Sequence, residues 1–348
     1  MDFFKLYDKF LKDTLQGKRL QKNGKKVRNS SVEAYSWLRK ALWDFSTIKN
    51  FPLHVPIVTK MKKREILSEK KYWEFFYKNF TNYLYTDLNC FDNYVGSCIK
   101  RLRTFFNYLL KNKNLNVGSF HQNFYTFNEE IEIITLLPEQ LNFLIYNKEF
   151  EMKLPEHLQK TKDVFVFGCT VALRYSDIFR LNPNNIEKNN GKAYLIVQSK
   201  KTNTHTRILL PDYALDIIQK YSKRKNYIFQ PISKAQFNKN IKLLLEYANW
   251  TGYKIKTRTK KGIPVPIYKN EKNKEHYRFC DLITSHTMRR TAITTMLCLG
   301  MPENLVRKIS GHSANSKEFY RYVELSQKFI DTETEKIYEQ LKSKTLVF

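Results

Sequence analysis

The chain has 348 residues, with 61 Lys and Arg against 33 Asp and Glu, a formal net charge of +28. With 42% hydrophobic and 15% aromatic residues it can bury a core, which excludes a disordered chain. No run of about 18 apolar residues occurs, which excludes an apolar spanning helix, and MDFFKLYDKFLKD lacks the basic-then-apolar order of a signal peptide. The cysteines (Cys90, Cys98, Cys169, Cys280, Cys298) include no CxxC pair and read as free thiols of a reducing cytoplasm rather than zinc ligands.

In chain order, residues 17–28 come first, with six basic and no acidic side chains. A helix is predicted over 30–50, capped by Ser30 or Ser31, with Val32, Tyr35, Leu38, Leu42 and Phe45 at helical spacing. A stripe through Trp73, Phe76, Phe80 and Tyr83 or Leu84 predicts a second over 69–86. Val95, Ile99, Leu102, Phe106 and Leu109 predict a third over 94–112. The opposite face of the third carries Lys100, Arg101 and Arg103, a solvated face that in so basic a chain can lie along a DNA backbone. Residues 113–130 lack periodicity and read as a linker. Helices are then predicted at 137–149, 155–172 and 176–181. Short β-prone runs at 193–199 and 204–210 predict a hairpin around a polar turn. Helices follow at 211–222 and 233–249. Residues 253–282 read as an extended basic hairpin or loop, with nine basic and two acidic side chains within 254–278. Helices return at 286–299 and 302–309, and one more lies near the C-terminus at 329–341. The fold class is mainly α with a small β-sheet (α+β), in two domains, 1–125 and 126–348.

So large a positive surplus is costly in self-repulsion unless a polyanion is the partner, and nucleic acid is the leading one because neutralised phosphates release counterions. An anionic membrane surface competes weakly, since no stretch pairs a long apolar face with a basic one.

Four segments hold residues able to do chemistry. SHTMRRTAITTMLCLG places His286 and Arg289 on one helix face with Arg290 beside them. Gly300 ends that helix, Pro302 opens the next, Gly311 ends it and His312 follows. His-x-x-Arg alone is common, and a capping histidine with surface charges looks the same. In VALRYSDIFRL, Arg174 stands before the Ser176-Asp177 cap, where an arginine often only holds a carboxylate or carbonyls. Lys200 and Lys201 occupy the tip of the predicted hairpin, where lysines usually serve solubility. Tyr320 and Tyr322 in EFYRYVEL follow His312, and in a chain with 22 tyrosines packing is the default for either.

Taken in order as Arg, Lys, His-x-x-Arg, Gly-His and Tyr, these motifs resemble the tyrosine recombinase (phage integrase-like) family. VALRYSDIFRL is similar to its first arginine box, and SHTMRR, ISGHS and FYRYV to its second. The resemblance covers nearly the whole chain in pattern, is strongest over 170–325, and looks closest to integrases of mobile elements in Bacteroidetes-type bacteria. It implies a helical core-type DNA-binding domain at 1–125 and a catalytic domain with a C-terminal helix at 126–348.

The activity implied is site-specific DNA recombination, for integration, excision or inversion, through a 3′-phosphotyrosyl intermediate and a Holliday junction. Tyr322 would be the nucleophile and Arg174 and Arg289 would hold the non-bridging oxygens. His286 would give base-like help, His312 would bond the phosphate, and Lys201 would protonate the leaving oxygen. Tyr322 lies one residue beyond the family's usual distance from the Gly-His histidine and Tyr320 one short of it. The phrase F-x-R-Y-V favours Tyr322, and Tyr320 stays the alternative. Lys201, before Thr202, fits the family's Lys-Thr turn better than Lys200.

DNA contacts are expected at Lys100, Arg101, Arg103, Lys200, Arg258, Lys260, Lys261 and Arg290. No metal and no cofactor is implied, because the arginines do the electrostatic work that metals do in nucleases. The implied partners are double-stranded DNA, a homotetramer on two DNA sites (monomeric without DNA), and accessory DNA-bending or directionality proteins. No membrane is implied, and the location is cytoplasmic, at the nucleoid. The C-terminal helix, with Phe329, Ile330, Ile337 and Leu341, would dock on a neighbour or pack on its own domain. With little chain before residue 30, binding to core sites only is expected, without an N-terminal arm-binding domain. A type IB topoisomerase-like relaxing enzyme and a non-catalytic DNA-binding regulator are the rival readings. A metal-dependent nuclease would need clustered carboxylates, which the sequence does not display.

Overall fold

The computed structural model describes residues 1–21, 23–198, 205–221 and 226–344. They divide into two units, Met1–Ile131 with Lys256–Ile267, and Glu132–Ile255 with Tyr268–Phe348. The architecture is mainly helical with small antiparallel sheets, the α+β class read from the sequence. Among the described residues, no helix is long and apolar enough to cross a membrane.

The first unit holds α1 (Phe3–Leu15), α2 (Asn29–Ile48), α3 (Lys63–Thr86) and α4 (Asp92–Lys113). Helix α1 was not among the predicted elements. The Asp2 carboxylate accepts from the Lys5 amide at 3.0 Å and starts it. Phe3, Tyr7 and Phe10 are fully buried and meet the Phe105 ring of α4 at 4.7–5.7 Å between centroids. Helix α3 begins at Lys63 rather than 69 because the Glu65 carboxylate accepts from the Lys62 amide at 2.6 Å. Residues 113–130, read as a linker, instead send side chains into the core of this unit. Val117, His121 and Phe124 are buried, and Phe120 stacks on Trp73 at 4.7 Å. At Gly96, a Cβ would come within 1.9 Å of the Phe127 carbonyl oxygen, so only glycine lets this segment lie against α4.

The basic stretch at 253–282 supplies the first unit with a hairpin, Lys256–Lys260 against Ile263–Ile267. A single cut near residue 125 leaves this insertion out. Two acidic side chains anchor it. Glu129, with its side chain 3% exposed, accepts from Arg258 Nε at 2.6 Å and from Thr259 Oγ1 at 2.9 Å. Asp92 accepts from the backbone amides of Lys261 and Gly262 at 2.8 and 2.9 Å and from the Tyr85 hydroxyl at 2.6 Å. Partnered in this way, these buried carboxylates hold the turn in place instead of destabilising the core.

The second unit begins with α5 (Pro138–Tyr146), α6 (Lys148–Lys153), α7 (Glu156–Val171) and α8 (Tyr175–Ile178). The single helix predicted at 137–149 is two, divided at Asn147, whose side chain accepts from the Phe150 amide and caps α6. A three-stranded antiparallel sheet follows, β1 (Ile186–Asn189), β2 (Lys192–Gln198) and β3 (His205–Leu209). Strand β1 was not predicted. Its turn to β2 is Asn190-Gly191, with φ of 49° and 72°, the two-residue hairpin chemistry that Asn-Gly favours. Ala193, Leu195 and Val197 alternate into the core opposite Thr206 and Ile208.

Then come α9 (Asp212–Lys220), α10 (Lys234–Tyr247), α11 (Phe279–Leu282), α12 (Ser285–Cys298), α13 (Glu303–Ser310) and α14 (Lys317–Lys344). Helix α12 lies on α7, and Gly168 sets their approach. A Cβ at Gly168 would stand 2.5 Å from Met288 Sδ and 3.0 Å from Met288 Cβ. Gly168→Ala should therefore destabilise the protein by about 1–3 kcal/mol in urea unfolding. It should also lower activity, since α12 carries the residues described next.

The titrating groups predict an acid response. Burial, with Arg103 adding to it, holds the fully buried His121 down at about 4. Burial alone would raise Glu151 and Asp281, but Lys220 and Lys162 hold the first at about 2, and Arg278 and Lys269 the second. A lowered histidine gives stability that starts to fall below about pH 6.5, and lowered carboxylates give stability lost below about pH 4. The urea midpoint should fall continuously from about pH 6.5 to 2. A profile flat down to about pH 4 would refute the histidine part.

Candidate active site

The Thr284 hydroxyl accepts from the His286 amide at 3.3 Å and caps α12, which leaves His286 exposed in its first turn. One turn on, Arg289 is 3% exposed. Its Nη1 donates to the Ala172 carbonyl at 3.0 Å, and its Nη2 stands 3.3 Å from both ring nitrogens of His312. Ala172 ends α7 at φ 54°, a left-handed turn that aims this carbonyl at the guanidinium. Burial first and Arg174 second lower Arg289 to about 10, so it stays charged at neutral pH.

His312 follows Gly311, which closes α13 at φ 64° as the sequence predicts. Ser310 Oγ lies 2.7 Å from the Val306 carbonyl oxygen and 2.8 Å from His312 Nδ1. With its single proton given to that carbonyl, Ser310 accepts from Nδ1–H, and the Nε2 lone pair is left for Arg289. Burial, then Arg289 and Arg174, lower His312 to about 4, which keeps the ring neutral. Arg174 caps α8, and its charge lowers both Arg289 and His312, so the two boxes meet in one field.

Helix α14 brings the tyrosines. Tyr322 is 1% exposed, between His312 at 6.0 Å and Phe319 at 6.4 Å. Burial raises its phenol and Glu318 adds to that, while the Arg290 and Arg289 charges oppose. Tyr320 is 52% exposed and lies under the Arg307 guanidinium at 4.7 Å. Arg307 also covers Phe319 at 3.9 Å and donates to the Ala314 carbonyl at 3.1 Å, which fixes the loop before α14. The cluster therefore gathers Arg174, His286, Arg289, His312 and Tyr322, and leaves Tyr320 outside it.

The remaining expected residues fall as follows. Lys200 and Lys201 lie outside the described residues. Lys100, Arg101 and Arg103 are on α4, with Lys100 exposed. Arg258 is bound to Glu129, Lys260 Nζ donates to Asn89 at 2.6 Å and Lys261 Nζ to Asn82 at 2.9 Å, so these cations hold the hairpin on the first unit. Arg290 is half-buried on α12, and its charge lowers the Tyr322 phenol. Of the C-terminal set, Ile330 is 37% exposed, and the side chains of Phe329, Ile337 and Leu341 lie outside the described ones.

Sequence reading missed Glu318. Its Oε1 lies 3.9 Å from His286 Nε2, and the only signal was its place four residues before Tyr322. One donor cluster that folding assembles is Glu246, Cys280 and Asp281, within 4.8 Å of one another. Arg278 bridges its two carboxylates and Lys269 reaches Asp281 at 3.2 Å, so protein cations neutralise it.

The sequence model of the phage integrase family matches residues 152–328, half of the chain and all of this cluster. The chain belongs to the phage integrase family. No curated protein sequence matches it. Among solved structures, this chain is similar to the Tn1549 transposon integrase in complex with circular intermediate DNA, at TM-score 0.57 and 15% identity, over 92% of this chain and 95% of that one. It is similar to a λ integrase dimer bound to a COC′ core site, at TM-score 0.58 and 11% identity, over 93% and 77%. The XerH site-specific recombinase bound to palindromic difH matches at TM-score 0.59 and 13% identity, over 91% and 81%. At these identities the likeness is one of fold.

Proposed function

We propose that this phage integrase is a site-specific DNA recombinase that cuts and rejoins DNA through a 3′-phosphotyrosyl intermediate. The observation that carries the reading is the convergence just described, with Tyr322 6.0 Å from the His312 ring and Arg289 joined to His312 in the field of Arg174. Tyr322 Oη attacks the scissile phosphorus, the bond to the 5′-oxygen breaks, and Lys201 gives that oxygen its proton. The ester is conserved, so a 5′-hydroxyl reverses the step without ATP. Arg174 and Arg289 hold the non-bridging oxygens as charge builds on them, each worth about 3 kcal/mol. His286 assists removal of the phenol proton. His312, neutral in the free protein, donates to the same oxygens once the phosphate charge restores its proton.

Double-stranded DNA is the proposed partner. A homotetramer on two DNA sites passing through a Holliday junction is the proposed assembly. A λ integrase tetramer bound to a Holliday junction shares this fold at TM-score 0.57. The motif details favour an integrase of a Bacteroidetes-type element, acting at the nucleoid without a metal.

The test uses nicked, strand-trapping duplexes from the DNA flanking the gene, incubated with the protein in EDTA. An SDS-stable protein–DNA band is expected. Tight DNA binding with no such band on any flank would overturn the catalytic reading in favour of a regulator. A band together with plasmid relaxation, but no joining of two duplexes, would mark a relaxing enzyme.

A further inference from the structure

Helices α12 and α14 meet through two matched pairs of side chains. His286 faces Glu318 at 3.9 Å, and one turn further along both helices the Arg290 charge acts on the Tyr322 phenol. Each helix advances four residues between the pairs, so the pairs are rungs one turn apart that fix the register of the tyrosine helix. The lower rung is dry, with Tyr322 1% exposed and Phe319 beside it fully buried. The upper rung is open, with the His286 and Glu318 side chains 46% and 55% exposed.

Glu318 is also misplaced for the reaction proposed above. It stands exposed beside the cations that must receive a phosphate, whereas Asp177, which also acts on Arg289, is buried. A fixed carboxylate there repels that phosphate by the same Coulomb term that draws it to the arginines. Its solvent-exposed stem lets it swing out, whereas Arg289, buried and bonded to Ala172, cannot leave.

We infer that Glu318 is a positioning residue that stands in for the scissile phosphate: in the free protein its carboxylate occupies the anion position beside His286 and holds α14 in register, and the DNA phosphate displaces it. This rests on the reading under Proposed function for the identity of the phosphate. The competition itself is between two anions for one cationic cluster. The displacement charges the site for catalysis and frees the first turn of α14 in one event. The strong lowering of Glu318, to about 2 by His286 first, agrees with a carboxylate that stays ionised until displaced.

The probe is inorganic phosphate at low ionic strength, added to the full chain and read by the His286 and His312 imidazole resonances, in a protein with 7 histidines. Glu318→Gln should bind phosphate about tenfold more tightly than wild type, and Glu318→Asp should stay near wild type. Hydrogen exchange over the first turns of α14 should quicken in Glu318→Gln, and in wild type once phosphate is saturating. Equal phosphate affinity in wild type and a folded Glu318→Gln would overturn the inference. So would a loss of melting temperature in Glu318→Gln with no change in affinity, which would make Glu318 a helix-terminal charge only. If Glu318→Gln binds phosphate more tightly but no covalent DNA band ever forms, the inference stands and the recombinase reading fails.

Discussion

A Tyr322→Phe protein should bind DNA with unchanged affinity and form at least about 10⁴-fold less covalent adduct than wild type. The substitution removes only the hydroxyl. The ring keeps its place between His312 and Phe319, so stability should change by no more than about 1 kcal/mol. Tyr320→Phe is the matched control. Its ring is exposed and lies under Arg307, a contact that phenylalanine also makes. It should retain the adduct. Loss of adduct in Tyr320→Phe alone would move the nucleophile two residues back and leave the family assignment untouched. The test decides what the loop between Gly311 and Lys317 does. If Tyr322 reacts, the extra residue in that loop is absorbed before α14 starts, where Arg307 grips the Ala314 carbonyl.

Arg289→Lys should slow strand cleavage by about 10²–10³-fold while DNA binding changes little. One guanidinium here serves two partners at once, the Ala172 carbonyl through Nη1 and the His312 ring through Nη2. A lysine carries the charge but has no fork, so it can satisfy one partner and abandons the other. The abandoned one is either a buried carbonyl or the histidine. Stability should therefore fall by about 1–3 kcal/mol in urea unfolding. Single-turnover cleavage on a trapping duplex separates the two effects. A stability loss with an unchanged cleavage rate would reduce Arg289 to a structural pin.

Local chemistry made much of this legible in the sequence. The apolar stripes through Trp73, Phe76 and Phe80, and through Val95, Ile99 and Leu102, are buried as their spacing requires. The order of Arg174, His286, Arg289, His312 and Tyr322 marked the side chains that folding gathers. Helix α1 went unread although Phe3, Tyr7 and Phe10 have helical spacing, because the stripe is short and its partner, Phe105, is distant in the chain. Strand β1 carried a signal in Asn190-Gly191, but Ile186–Asn189 has three polar residues out of four and shows no alternation. The pairing of Glu129 and Asp92 with residues 258–262 left no trace in periodicity, since an acidic residue near a linker looks the same with or without a partner. Glu318 was hidden for a similar reason, because its meaning comes from His286 on another helix.

Ribosomes release this chain from its N-terminus, and the 256–267 hairpin then takes on a temporal meaning. When residue 131 emerges, α1 to α4 are complete, yet Asp92 and the side chain of Glu129, each 3% exposed in the finished protein, still lack the amides and the guanidinium that bond them there. Those partners arrive only after residues 132–255 have been made. The N-terminal unit is thus begun first and closed late, with most of the catalytic segment already off the ribosome. A chain stalled or truncated before residue 256 leaves Glu129 without its guanidinium and Asp92 with only the Tyr85 hydroxyl, a flaw that quality-control proteases can recognise before Arg289, His312 and Tyr322 are brought together.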